Sequence, residues 1–306
     1  MREAATPYQL DQQRRRRACN QAAARYDQAA VLPREIGARL LERLDYVRLV
    51  PRVVVDVGCA TGITAVPLLK RYRQAVVVAL DNAPAMLAVA RRRAPWFRRL
   101  RCVCGDAEAL PLADASCDLV FSNLALHWWD LERTVAEFRR VLRPGGLLMF
   151  STLGPDTLME LRRSWAAADD SIHVHAFVDM HDVGDALVRA ALADPVVDME
   201  RITLTYRDVN ALMADLKTLG AGNVAAGRPP GLTGKGRFQA MRAAYEQYRT
   251  EVGLLPATFE VVYGHAWAPD KPLSQGRRDG SAVFSLCQLK ISEKIVDKFS
   301  QVFKNA

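Results

Sequence analysis

The strongest constraint in this sequence is a strict alternation of short apolar runs with amphipathic stretches, opening at Val53–Val57 and passing at once into Asp56-Val57-Gly58-Cys59-Ala60-Thr61-Gly62. Val53–Val57, Ala75–Leu80, Leu100–Cys104, Leu119–Ser122 and Leu147–Thr152 are compact and apolar, the pattern of strands covered on both faces. Between them Thr64–Arg73, Pro84–Arg93 and Leu131–Leu142 have helical periodicity. Strand and helix in such alternation predict an α/β fold, a mostly parallel, doubly wound sheet with right-handed crossovers.

Outside this block the rhythm changes. Tyr8 to Asp45 reads as a helical N-terminal cap, with Ile36, Leu40, Leu41 and Leu44 on one face and Pro33 in a first turn, where its missing N–H costs nothing. After Thr152 two helical stretches, Asp156–Asp169 and Met180–Leu192, follow one another without a strand, so residues from about 154 to 194 form a helical insertion or lid. Val196–Tyr206 returns to strand, Val209–Leu219 to helix, Gly220–Gly236 to loop, Phe238–Glu251 to helix and Thr258–Trp267 to strand. The two late strands, β-branched and aromatic, suit an antiparallel edge, which makes a seven-stranded sheet in all. The expected organisation is therefore a cap over 1–45, a main domain over 46–270 and a tail over 271–306. In that tail Ile291, Ile295, Phe299, Val302 and Phe303 fall on one face of a helix.

Composition narrows the class. With 306 residues, half of them hydrophobic, the chain buries a substantial core. Six scattered cysteines make neither a disulfide framework nor a zinc spacing, and no apolar run has the length of a membrane span or a signal peptide. A cytoplasmic protein is the expectation; Glu3 and Asp11 interrupt what would otherwise resemble an arginine-rich targeting segment. His173 and His175 lack a third ligand at recognisable spacing, so no metal is expected. The net charge of +8 favours an acidic partner. Without interleaved aromatics or a zinc-finger signature that partner is not expected to be nucleic acid. Arg14–Arg17 and Arg91–Arg93 are candidate docking patches.

The candidate ligand pocket collects at the ends of the strands. Gly58 and Gly62 permit a tight turn and close approach of a ligand. The acid Asp56 ahead of them suits a ligand carrying a cation better than a phosphate, unlike the dinucleotide fingerprint. Asp81, at the end of the second run, either accepts from ribose hydroxyls or caps the helix opening at Pro84, and the two roles can coexist. Gly105-Asp106-Ala107-Glu108 forms a short acidic turn able to accept from an adenine amino group. Ser122-Asn123-Leu124-Ala125-Leu126-His127-Trp128 follows the fourth run, at the switch point where ligands bind in open sheets. Arg143-Pro144-Gly145-Gly146 turns the chain into the fifth.

As an ordered set, VDVGCATG, ALD, GDAEALPL, SNLALHWW and VLRPGG resemble the motifs of class I S-adenosylmethionine (SAM)-dependent methyltransferases, with their Rossmann-like fold. The resemblance implies a SAM pocket drawing on Asp56, Gly58, Cys59, Gly62, Asp81, Asn82, Met86, Asp106, Ala107, Asn123 and Leu124. Over nearly the whole length before the tail the sequence also resembles malonyl-acyl-carrier-protein O-methyltransferases of biotin synthesis. The matching stretches are ARYD with Ala30 and Arg34, FSTLGPDTLMELR, LKTLGAGN, Arg228 with GLTGK, AYEQYR and LPATFEVVYGHAW. His127 stands where that family is expected to carry Gln. The resemblance implies methylation of a malonyl carboxylate on acyl carrier protein or coenzyme A, without nucleic acid or membrane. Arg228 is the candidate to place the carboxylate, with His127 and Tyr26 beside it. Methylation of another small carboxylic acid, a protein-modifying relative resembling complex I assembly factors, and a SAM-binding scaffold are the alternatives.

Overall fold

The computed structural model describes residues 9–229, 231 and 233–270. The tail with its expected helix, and the first eight residues, lie outside the described residues. Three helices come first: α1 (Gln12–Ala22), α2 (Tyr26–Ala29) and α3 (Val31–Arg43). Asp11 starts α1 by accepting from the Arg14 N–H at 3.0 Å, which satisfies one of the donors a helix start leaves open. The alternating block then supplies β1 (Val53–Val57), α4 (Ala65–Arg71), β2 (Val76–Asp81), α5 (Pro84–Arg93), β3 (Arg101–Cys104), β4 (Cys117–Ser122), α6 (Leu131–Val141) and β5 (Leu142–Leu153). Two helices, α7 (Met159–Ala166) and α8 (Met180–Arg189), form the insertion. The remainder is β6 (Ala193–Tyr206), α9 (Val209–Thr218), α10 (Lys235–Tyr245) and β7 (Leu255–Trp267).

The strands make one seven-stranded sheet in the order β3-β2-β1-β4-β5-β7-β6. β1 pairs in parallel with β2 and β4, and β7 runs antiparallel between β5 and β6. Alternate residues of each strand feed two apolar layers. Val54, Val77, Leu119 and Met149 pack on α3, α4 and α5, whereas Val55, Leu80, Val120 and Leu148 pack on α6 and α8. In α6 the buried positions Thr134, Val135, Phe138 and Val141 fall at i, i+1, i+4 and i+7, one helical face, and Asp130 caps the start through the Arg133 N–H.

The structure revises several boundaries and one exposure. β3 is the edge of the sheet, so Arg101 and Cys104 are exposed and the strand is not covered on both faces. β5 begins at Leu142 and takes in the Arg143–Gly146 stretch expected as a turn; Gly145 has φ 72° there, and the pairing with β4 shifts between Cys117 and Leu119. β6 and β7 start three residues earlier than their apolar runs, at Ala193 and Leu255. α10 starts at Lys235 and closes in a 3-10 turn, Glu246–Tyr248. Among the described residues no helix is long and apolar enough to cross a membrane.

Where β5 meets β7 the register sets Phe150 opposite Gly264, and any Cβ on Gly264 would overlap the Phe150 ring, itself fully buried. Gly264→Ala is expected to destabilise the fold by about 1–3 kcal/mol through overpacking. Urea unfolding measures it, and an unchanged midpoint would show that Phe150 has room to move.

Candidate active site

The site lies where β1 and β4 part, the two strands whose helices leave on opposite faces of the sheet. Beyond β1 the backbone enters the left-handed region three times, at Gly58 (φ 73°), Ala60 (φ 45°) and Gly62 (φ 79°). The N–H groups of Gly58 and Cys59 donate to Leu80 O at 2.8 and 3.1 Å, clasping the turn onto the end of β2. A side chain on Gly58 would overlap Ala125 and come within 3.1 Å of the Trp129 ring; one on Gly62 would meet Ala90 of α5 at 3.0 Å. The space freed by both glycines is thus filled by protein, not kept open for a ligand. Their role is to let the β4 loop and α5 close onto the turn.

Asp56 is wholly buried beneath this turn. Thr64 Oγ1 donates to its Oδ2 at 2.7 Å, and Oδ1 has no partner. Burial pushes its carboxyl up to about 7, and Asp81 adds to the rise. Asp81 accepts from Ala60 N at 3.0 Å and from Ala83 N at 2.8 Å, so it bridges the loops after β1 and β2. It is not the cap of α5: that position belongs to Ala83, which makes no side-chain cap bond. Asn82 leaves Oδ1 buried without a partner, and Met86 and Ala83 pack with Tyr26 and Ala22 of the N-terminal helices. Asp106 turns the chain by accepting from Glu108 N at 3.1 Å, with Ala107 buried between them.

Asn123 sits at the switch point, but both ends of its amide are engaged. Nδ2 donates to Pro33 O at 2.9 Å and Oδ1 accepts from Ser151 Oγ at 2.9 Å, tying α3 to β4 and β5. Leu124 takes φ 49° and donates its N–H to Ser151 Oγ at 2.9 Å. Non-glycine residues in this conformation, here Ala60 and Leu124, are strained and gather at functional sites.

The other half of the site is aromatic. His127 lies in the short 3-10 turn Leu126–Trp128, its ring 4.9 Å from that of Trp128 and 5.7 Å from Phe177. Trp128 meets His175 edge-on at 5.4 Å. His175 Nε2 donates to Gly222 O at 3.3 Å, which leaves Nδ1 as a bare acceptor. Burial, then Arg15 and His175, depress His127 to about 3, so its imidazole is neutral near neutral pH. His173 goes elsewhere, stacked at 3.8 Å on Trp165, so the two histidines do not face a common ligand. Above the aromatics lies α1, pinned by Gln12 Nε2 donating to Trp128 O at 2.6 Å and by Asn20 Oδ1 accepting from Ala85 N at 3.0 Å. Its exposed residues include Arg14, Arg16 and Arg17, whereas Arg15 is buried over Trp129 and Trp128, so the expected patch Arg14–Arg17 is divided between surface and interior. Of the other patch, Arg93 pairs with Asp27. Arg228 is half-buried, and its Nη1 reaches its neighbour Pro229 O at 3.3 Å. A surface pocket of about 910 Å³ lined by Val76, Trp96, Phe97 and Arg101 opens at the amino ends of β2 and β3, away from this site.

Among the described residues eight buried side-chain nitrogen or oxygen atoms lack a hydrogen-bond partner, and six belong here: Asp56 Oδ1 and Asn82 Oδ1 at the turn, Arg15 Nε, His127 Nδ1, Trp129 Nε1 and His175 Nδ1 under α1. Folded proteins leave few such atoms, and a cluster of them marks a place for water or a ligand.

This sheet order and site define a methyltransferase of class I fold. Residues 55–150 match the methyltransferase domain family. A solved putative methyltransferase from Bacillus halodurans superposes with a TM-score of 0.55 at 19% identity, covering 76% of this chain and 98% of that one. Two curated relatives are each named malonyl-[acyl-carrier protein] O-methyltransferase. That of Halorhodospira halophila is 53% identical over 84% of this chain and 88% of its own, and that of a Methylovorus species 52% identical over 87% and 92%. The chain belongs to the malonyl-[acyl-carrier protein] O-methyltransferase family.

Asp56 supplies a pH test of this geometry. Its folded value near 7 stands above the ordinary 3.8, so the fold favours the neutral acid. The stability this gives is present below the ordinary value and declines as pH rises from about 4 to about 7, when the carboxyl ionises in place. Asp56→Asn is expected to raise Tm relative to wild type strongly at pH 8 and only slightly at pH 4. Equal shifts at both pH values in thermal unfolding would refute the assignment.

Proposed function

We propose that this chain transfers the methyl group of SAM to the free carboxylate of a malonyl group borne on acyl carrier protein. The observation that carries the reading is the division of the unpartnered buried atoms between an acid-and-amide half under the glycine turn and a cation-and-imidazole half under α1. The names of the relatives, matched over most of their length, support the same substrate.

The donor set fits SAM. Asp56, with one oxygen unsatisfied, suits a ligand bearing positive charge, and Asp81, whose oxygens each take one N–H, keeps lone pairs for ribose hydroxyls. Gly58, Cys59 and Gly62 shape the turn, and Asn82, Met86, Asp106 and Ala107 line its far side. Asn123 and Leu124 act by fixing the floor of the pocket, since the Asn123 amide is spent on Pro33 and Ser151. SAM, when bound there, supplies a methyl group on a sulfonium, open to in-line attack by a nucleophile.

The protein's part is alignment and exclusion of water. A malonyl carboxylate is ionised at neutral pH, so no base is required. His127 is neutral and half-buried; it offers a hydrogen-bonding edge rather than a proton shuttle. Tyr26, packed against Met86 and Ala83, closes the cofactor side together with α1. Exposed Arg14, Arg16 and Arg17 give the roof an outward positive face suited to an acidic carrier protein.

The direct test is methyl transfer from labelled SAM to malonyl-acyl carrier protein, beside acetyl-acyl carrier protein, malonyl coenzyme A and free malonate. Base-labile label on the malonyl carrier, absent from the acetyl one, is expected. No label despite measurable SAM binding would sink the reading. Asp81→Asn is expected to weaken SAM binding roughly tenfold or more, by the loss of charge-assisted hydrogen bonds, measured by calorimetry.

A further inference from the structure

Among the described residues Arg15 is the only lysine or arginine that is fully buried, at 4% exposure. Its guanidinium carbon stands 4.4 Å from the Trp129 ring centroid and 5.2 Å from that of Trp128. Nη1 has one long contact, 3.5 Å to Gln12 Oε1, and Nε has none. Among the described residues no carboxylate forms an ion pair with it.

A buried guanidinium without a counterion is costly, and proteins rarely keep one unless something pairs with it. The acids within electrostatic reach, Asp81, Asp106 and Glu108, are committed elsewhere. Asp81 takes the N–H groups of Ala60 and Ala83, Asp106 takes Glu108 N, and Glu108 Oε1 takes Asp130 N at 2.9 Å. They balance Arg15 at a distance, and none of them forms a hydrogen bond to it.

Under the function proposed above, an anion must enter beside Asp81, Asp106 and Glu108. A carboxylate meeting those acids alone would be repelled. With His127 and His175 both favoured in their neutral forms, Arg15 is the one fully buried cation placed to offset them. Held against the two indoles, the guanidinium offers the planar fork of donors that grips a carboxylate by two parallel hydrogen bonds. Each carboxylate oxygen then keeps a lone pair for attack. Arg228 lacks this setting: it is only half-buried and turned onto its own neighbour.

We propose, resting on that reading, that Arg15 and not Arg228 grips the malonyl carboxylate, and that the indoles of Trp128 and Trp129 hold its guanidinium in place. The same chemistry could serve the carboxylate of SAM itself, and the test separates the two.

The full-length wild type, Arg15→Met, Arg15→Lys and Arg228→Ala are compared for kcat/KM with malonyl-acyl carrier protein and, by calorimetry, for the Kd of SAM. Arg15→Met is expected to lower kcat/KM by about 100-fold or more while the Kd of SAM stays within about threefold, as for a lost charge-assisted bidentate pair. Arg15→Lys recovers part of the loss, and Arg228→Ala stays within about threefold of wild type. Methylguanidinium added to Arg15→Ala restores part of the rate, which a merely structural arginine would not permit. Loss of SAM affinity in Arg15→Met with an unchanged KM for the malonyl carrier would overturn the proposal in favour of the cofactor's carboxylate. Wild-type and Arg15→Met rates that agree would overturn it alone. If the wild type transfers no label to the malonyl carrier, the function proposed above falls, and this proposal with it.

Discussion

The carboxylate of Asp81 is the joint on which the site depends. One oxygen holds the loop after β1 through Ala60 N and the other holds the loop after β2 through Ala83 N. This side-chain tie adds to the backbone bonds from Gly58 and Cys59 to Leu80 O and holds the two loops together beside the switch between β1 and β4. The left-handed conformation of Ala60 is thereby maintained against its steric cost, and Gly58 and Gly62 lie close enough for the β4 loop and α5 to close over them. The roof helix meets the same platform through Asn20, which accepts from Ala85 N two residues beyond Ala83. Because Asp81 is itself buried, its ionisation is opposed by desolvation and sustained by Arg15 and the backbone donors. Geometry and charge are therefore coupled from the outset.

The parallel sheet was legible because its strands are buried on both faces and so read as uninterrupted apolar runs. The places where the sequence misled are those where pattern and environment part. β3 looks like its neighbours, yet it is the edge, and edge position is a property of pairing order that no local run encodes. Arg143-Pro144-Gly145-Gly146 has turn chemistry, yet it continues as an irregular start to β5 because Gly145 absorbs the distortion. Asp81 had the chemistry of a helix cap, but it stands too early in the chain to be one, and its second oxygen found the glycine loop instead.

The candidate site was half legible. The turn, the acids and the loop after β4 lie in consecutive motifs, so spacing alone brought them together. The aromatic half is assembled from α1, the β4 loop and the segment between α7 and α8, and separations as long as that from Gln12 to Trp128 carry no local signal. Arg15 was hidden in a run of four arginines, where the natural reading is a solvated face. A signal did exist: Arg15, Cys19 and Ala22 recur at helical spacing with Tyr26 beyond, and the last three pack in or against the small apolar cluster that contains Met86. Periodicity thus marked an inward face before chemistry did. His175 and Phe177 had no such marker, because the stretch that carries them is neither helix nor strand.

The resulting electrostatics pose a problem that the roof helix resolves. A pocket lined by acids favours a cationic cofactor and opposes an anionic acceptor, whereas methylation of a carboxylate brings both within bonding distance. A neutral histidine cannot offset the acids. A surface arginine would do so only weakly, because solvent screens it. A guanidinium buried on apolar rings acts where the effective dielectric is low, and it acts on one plane only. Placing it on α1 has a second effect, since Arg14, Arg16 and Arg17 of the same helix lie exposed. On the proposed function, the helix that meets an acidic carrier with its outer face meets the carboxylate with its inner one.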